Sequence, residues 1–161
     1  MEDESSLTHL RWVMERQLHW IGAADVKAGG MIGAYMALAA IAATLLDSGN
    51  PPLQAKWLFS IAAGAMLPAL CFAVAVFFPR DAAKRSSLIF FGEISRVDLE
   101  KFKERCRSTT IDQVKDDLVN QIHINAIIAR CKHKYAKTSI IWGSVALAVW
   151  LGGVATVARA P

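Results

Sequence analysis

The chain has 161 residues, 54% of them hydrophobic, and a formal net charge of +4. Its mean hydropathy of +0.32 is high for a soluble domain of this size and ordinary for a small membrane protein. The basic excess reads as membrane topology, as argued below, rather than as a nucleic-acid surface, and no nucleic-acid partner is expected.

The start, MEDESS, is acidic, whereas a secretory signal opens with a basic stretch, so the first apolar run is expected to stay as an anchor. Leu7, Leu10, Met14, Leu18, Ile21 and Ala28 recur at steps of three, four or seven. That spacing predicts an amphipathic helix over residues 1–27, with Ser5 or Ser6 as its cap. It runs without a breaker into residues 28–46, which are 19 residues with no charge. At about 1.5 Å per residue that stretch reaches roughly 28 Å, one bilayer core. One helix, or two nearly collinear ones, should therefore pass from solvent into lipid.

Gly29 and Gly33 form a G-x-x-x-G step followed by Ala37, a spacing that lets another helix backbone approach closely. The turn 47–52 holds Gly49, Pro51 and Pro52 and leads to a second charge-free run, residues 57–78. Pro68 removes one backbone hydrogen bond from its middle and should kink it. Residues 79–138 form a third, polar block. A short helix is expected from Val97 to Cys106, its alternating charges read as a solvated face. Thr110 and Gln113 fit a capping box. From Ile111 a stripe of Ile111, Val114, Leu118, Ile122 and Ala129 opens a helix that should continue through the third charge-free run, 140–158.

Lysine and arginine give the orientation. Sixteen fall in residues 1–27 and 79–138, and two fall in the 47–56 turn and the C-terminal tail. The N-terminus and the 79–138 block should be cytoplasmic, and the C-terminus should face outward. The fold class is thus all-α: three transmembrane spans with a cytoplasmic extension made of the N-terminal helix and a long helix continuous with the third span.

Cys71, Cys106 and Cys131 are odd in number and have no C-x-x-C spacing, so reduced thiols are expected. No phosphate-loop, dinucleotide, zinc-protease or nucleophile-elbow pattern occurs, and the four histidines are not spaced as a metal site. The residues present no catalytic set, no metal site and no cofactor. What remains is a polar constellation beside the spans: Asp25 and Lys27 before the first, Arg80 after the second, Asn125, Arg130 and Lys132 approaching the third. Such cations either hook an anion in a half-dry interface or snorkel to anchor helix ends. Asp25 is costly beside lipid unless paired, so it should meet Lys27, Arg80 or a base near the third span. Trp20 suits the membrane interface.

Four stretches carry a resemblance. W-I-G-A-A-D-V-K-A-G at 20–29, F-P-R at 78–80, I-F-F-G-E-I at 89–94 and Q-I-H-I-N-A-I-I-A-R-C-K-H-K-Y at 121–135 occur in an order and spacing similar to the small transmembrane effectors of Pycsar, a bacterial antiphage system. The resemblance implies an effector that answers cyclic CMP or cyclic UMP, made by a partner cyclase, by damaging the bacterial inner membrane and arresting or killing the cell. The chain has no separate cyclic-nucleotide-binding domain, so helices would have to bind the messenger. The ligand-binding candidates are Trp20, Asp25, Lys27, Arg80, Phe90, Phe91, Gly92, Asn125, Arg130 and Lys132, with Trp20, Phe90 and Phe91 for base stacking. Gly29 and Gly33 are candidates for helix packing. Three spans cannot line a sizeable pore alone, so a homo-oligomer is expected. The alternative is a membrane-anchored scaffold that recruits a soluble partner through its long helix and binds no nucleotide.

Overall fold

The computed structural model of the chain describes residues 2–47, 50–78 and 87–160. These residues form five helices and no strand: α1 (Glu2–Asp47), α2 (Leu53–Ala75), the single turn α3 (Phe91–Ile94), α4 (Leu99–Ser108) and α5 (Ile111–Ala158). Among them α1, α2 and α5 are long and apolar enough to cross a membrane. The all-α, three-span architecture follows from the three charge-free runs.

Several helix ends differ from the sequence reading. α1 is a single helix that starts at Glu2, so Ser5 and Ser6 lie inside it and cap nothing. α2 starts at Leu53, directly after the proline pair, which leaves Trp57 a turn inside. It continues through Pro68. α4 starts at Leu99, not at Val97, because Asp98 acts as its N-cap and accepts from the Glu100 amide at 3.1 Å. The capping box at the head of α5 is formed. Thr110 Oγ1 accepts from the Gln113 amide at 3.3 Å, and Gln113 Oε1 accepts from the Thr110 amide at 2.9 Å. Ser48, Gly49, Pro79 and Arg80 lie outside the described residues.

The chain forms two compact units, Met1–Ala23 with Pro79–Cys131, and Ala24–Phe78 with Lys132–Pro161. In the first, the inner face of α1 is made by Leu7, Leu10, Met14 and Ile21, all partly buried, while Leu118 and Gln121 of α5 are buried. Lys115 of α5 pairs with Asp3 of α1, and Asn125 Nδ2 points at Met14 Sδ at 3.9 Å. Leu18 and Ile111 depart from the expected stripes: both are half-exposed. Leu18 lies at the edge of the stripe, and Ile111 is the first residue of its helix.

The second unit contains the three charge-free runs, and its packing has a period of 3.5 residues. The buried residues of α2 are Ala55, Phe59, Ala62, Met66, Ala69 and Ala73, followed by Val76 at its C-cap. On α5 they are Lys132, Ala136, Ser139, Gly143, Ala146 and Gly153, and on α1 Ala24, Ala28 and Tyr35. Alternating steps of three and four are the seams of helices that cross at a small left-handed angle. Most residues at these seams are alanine, glycine or serine, because close backbone approach more than burial of bulk holds helices together where the solvent is lipid. Polar ties fasten them. Tyr35 Oη donates to the Ser139 carbonyl at 3.0 Å, and Ser139 Oγ donates to the Ala69 carbonyl at 2.8 Å, so one hydroxyl pair joins α1, α5 and α2. Further along, Trp150 Nε1 donates to the Leu38 carbonyl at 3.1 Å, and its ring meets Phe59 edge-on.

Candidate functional site

The second unit gathers Asp25, Lys27 and Lys132. Asp25 projects from α1 three residues before the charge-free run, and Lys132 projects from α5. They form an ion pair at 2.5 Å, with the Lys132 side chain 11% exposed and that of Asp25 33% exposed. The shell around the pair is apolar and small: Ala24, Ala28, Val76 and Ala136 pack together there with Tyr135 and Met31. Tyr135 stacks on Phe72 at 6.1 Å. A buried ammonium in such a shell is stable only while its carboxylate stays, because removing either group strands the other. Of the three partners considered for Asp25, a base near the third span is the one found. Lys27 faces away and is exposed. Arg80 lies outside the described residues.

Gly29 and Gly33 are exposed, and a Cβ built on either meets nothing within 4 Å. No helix of the chain's own described residues fills the space beside them. Between the long helices the tight glycines are Gly143, whose place a Cβ would share with the Tyr35 ring, and Gly153, where a Cβ would crowd Phe59.

The first unit gathers the aromatic candidates. Phe90 and Phe91 have ring centroids 4.9 Å apart at 52°, and Phe91 is 72% exposed. A Cβ at Gly92 would run into the Phe90 ring, so glycine lets that ring fold back over the α3 turn. Trp20 is half-exposed, with His19 edge-on to it. Arg130 is exposed, and Asn125 is partly buried against Met14.

One polar cluster in this unit escaped the sequence reading. Ser87 is buried and joined to α5. Its Oγ donates to Asp117 Oδ2 at 3.1 Å and accepts from Gln121 Nε2 at 3.1 Å and from the amides of Ile89 and Phe90 at 3.1 and 3.0 Å. Asp117 Oδ2 also accepts from the Leu88 amide at 2.8 Å. Every amide from Leu88 to Phe90 is thereby used, and the turn that carries Phe90, Phe91 and Gly92 is held to α5. The signal in the sequence is Asp117 and Gln121, one helical turn apart on one face.

Comparison with known proteins adds the identity. Residues 9–159 match the Pycsar effector protein domain family, PycTM. No curated protein and no solved structure matches the chain. The match takes in all four stretches of the resemblance and both members of the Asp25–Lys132 pair. With three helices able to cross a membrane and nearly its whole length inside the family, the chain is a membrane protein that belongs to the Pycsar effectors of antiphage defence.

Proposed function

We propose that this protein senses a cyclic pyrimidine mononucleotide, cyclic CMP or cyclic UMP, on the cytoplasmic side of the bacterial inner membrane, and that binding turns it into a membrane-disrupting assembly that stops the infected cell. The observation that carries the reading is the Asp25–Lys132 pair. It joins the two most extended pieces of the resemblance, and it ties α1 to α5 near the point where each becomes apolar.

An anionic ligand changes the balance of such a pair, because its phosphate competes with Asp25 for cations nearby. α5 is one unbroken helix from Ile111 to Ala158, so a shift of its polar half is carried to its apolar half. Only a ligand that binds the shifted state more tightly can drive the change. Within the first unit, Phe90, Phe91 and Trp20 offer faces for the base and Arg130 offers exposed charge for the phosphate, with Arg80 as a further candidate. In the proposed orientation, residues 1–27 and 79–138 are cytoplasmic and the C-terminus is periplasmic. Residues 28–46, 57–78 and 140–158 are the spans. Gly29 and Gly33, exposed within the first span, suit the close approach of a second copy, and several copies act together.

The test is direct binding. Purified protein in detergent is titrated with cyclic CMP and cyclic UMP while its melting is followed. One of the two is expected to raise the melting temperature in a saturable way, as any ligand of the folded state must. No effect of either sinks the reading. The scaffold alternative draws on the exposed Val119 and Ile127 of α5. It expects no nucleotide effect and a loss of function when those two residues are made polar.

A further inference from the structure

A face of α1 outside the candidate set has the chemistry of half a nucleotide site. His9, Trp12, Arg16 and His19 follow one another at steps of three and four, so they share one side of the helix, and all four are exposed. Trp12 is 57% exposed although it is the largest apolar group there. It is also held in place. The His9 ring stacks on it at 6.0 Å and 25°, and the Arg16 guanidinium lies over it at 5.9 Å from the ring centroid. Among the described residues Arg16, like most of the cations, makes no ion pair. Its planar fork is free for an anion. A shallow groove beside Trp12 is lined by Glu4, Ser5, Thr8 and His9, which offer acceptors and hydroxyls.

The face is open on one side. A ligand laid on one helix keeps most of its surface in water, whereas small-molecule sites bury about 70–90% of theirs. Something must cover it. Copies inserted in one membrane share one orientation, so the same face of a second copy can oppose this one about a two-fold axis along the membrane normal. Bare, the two faces repel: Arg16 would meet Arg16. An anion between them removes that repulsion, and its aromatic ring can lie against the exposed part of Trp12 in each copy.

We propose that the His9–Trp12–Arg16–His19 face of one copy and the same face of a second copy together bind a phosphate-bearing aromatic ligand, so that the ligand is the condition for pairing. The inference rests on the messenger reading above and places the messenger on this face in preference to the Trp20, Phe90, Phe91 and Arg130 candidates. It also gives a physical reason for a lone copy to be silent.

The experiment uses full-length protein in lipid nanodiscs, labelled at the exposed Cys106 with Cys71 and Cys131 replaced by serine. Energy transfer between copies reports pairing, and calorimetry reports binding of cyclic CMP, cyclic UMP and inorganic phosphate. The expected result is that one nucleotide raises transfer, and that phosphate at the same concentration does not. Arg16→Glu and Trp12→Ala should each weaken nucleotide binding at least tenfold and remove the rise in transfer, with melting unchanged because both side chains are exposed. Equal nucleotide affinity in Arg16→Glu overturns the inference, as does binding without a rise in transfer, or a phosphate response equal to that of the nucleotide. Those results leave the messenger reading standing. If neither nucleotide binds the unmodified protein, the messenger reading fails and this inference falls with it.

Discussion

The ring of Tyr35 occupies the space that a side chain at position 143 would need. Its hydroxyl is bound to Ser139, one helical turn before Gly143 on α5. The tyrosine, the glycine and the serine therefore act as one fitting between α1 and α5. Gly143→Ala should force the ring out of its seat. Helix propensity favours alanine by about 1 kcal/mol. Overpacking a fitted contact costs about 1–3 kcal/mol, and the hydroxyl bonds are lost with it. A net destabilisation of about 1–2 kcal/mol is expected, read as a lower melting temperature by circular dichroism in detergent. Tyr35→Phe keeps the ring and should cost less, about 0.6 kcal/mol, the usual size of a hydrogen bond between membrane helices.

Gly33 gives the opposite expectation. A Cβ there meets nothing within 4 Å, so the folded chain has room for bulk. Gly33→Leu should leave melting within about 0.5 kcal/mol of the unmodified protein, as changes away from packed contacts do. If copies meet at this face, the same change should abolish growth arrest. Cross-linking in membranes and a growth assay read the two effects separately. Full toxicity in Gly33→Leu would show that the face meets only lipid.

The Asp25–Lys132 pair predicts a double-mutant cycle. Asp25→Asn leaves the Lys132 ammonium in an apolar shell, and Lys132→Met leaves Asp25 without its cation. Each single change should cost about 2–3 kcal/mol, below the 3–5 of a fully buried pair because Asp25 is one-third exposed. The double change should cost less than the sum of the two. Additive losses in thermal melts would show that the two groups do not act on each other.

The three spans were legible because a run of about twenty residues without charge has few other uses. The two ends of α5 were legible as well: a capping box at its head and a charge-free stretch at its tail. The seams were not. Between Lys132 and Gly153 the buried positions of α5 are a lysine, two alanines, a serine and two glycines. Lys132 apart, hydropathy does not separate them from residues that face lipid, since lipid and a helix interface are equally apolar. Only the steps of three and four among small residues carry the signal. Gly29 and Gly33 have that spacing too, yet they lie on the outside of the chain. Small size marks a close approach without naming the neighbour.

Within the candidate site, Asp25 was legible through its cost, and its need for a partner was clear before the partner was. Asp117 was not, because one acid in a charged helix looks like any solvated residue. Its role depends on Ser87, thirty positions away. That pairing makes a prediction. Ser87→Ala removes the acceptor for the amides of Ile89 and Phe90 and for the amide group of Gln121. Stranding buried donors costs about 1–3 kcal/mol. Hydrogen exchange at Ile89 and Phe90 should quicken by one to two orders of magnitude, while exchange along residues 140–158 stays as it was. Unchanged exchange at Phe90 would mean that the turn does not depend on the serine.

The central claim is that a cyclic pyrimidine nucleotide converts this protein into a membrane-damaging one. The most direct measurement is membrane potential in cells that express it, followed with a depolarisation dye while a co-expressed cyclase supplies cyclic CMP or cyclic UMP. Rapid depolarisation with one nucleotide, and none in cells that lack the protein or the cyclase, is the result expected. A potential that holds with both nucleotides would contradict the claim and turn attention to the exposed Val119 and Ile127 of α5 as a surface for a partner.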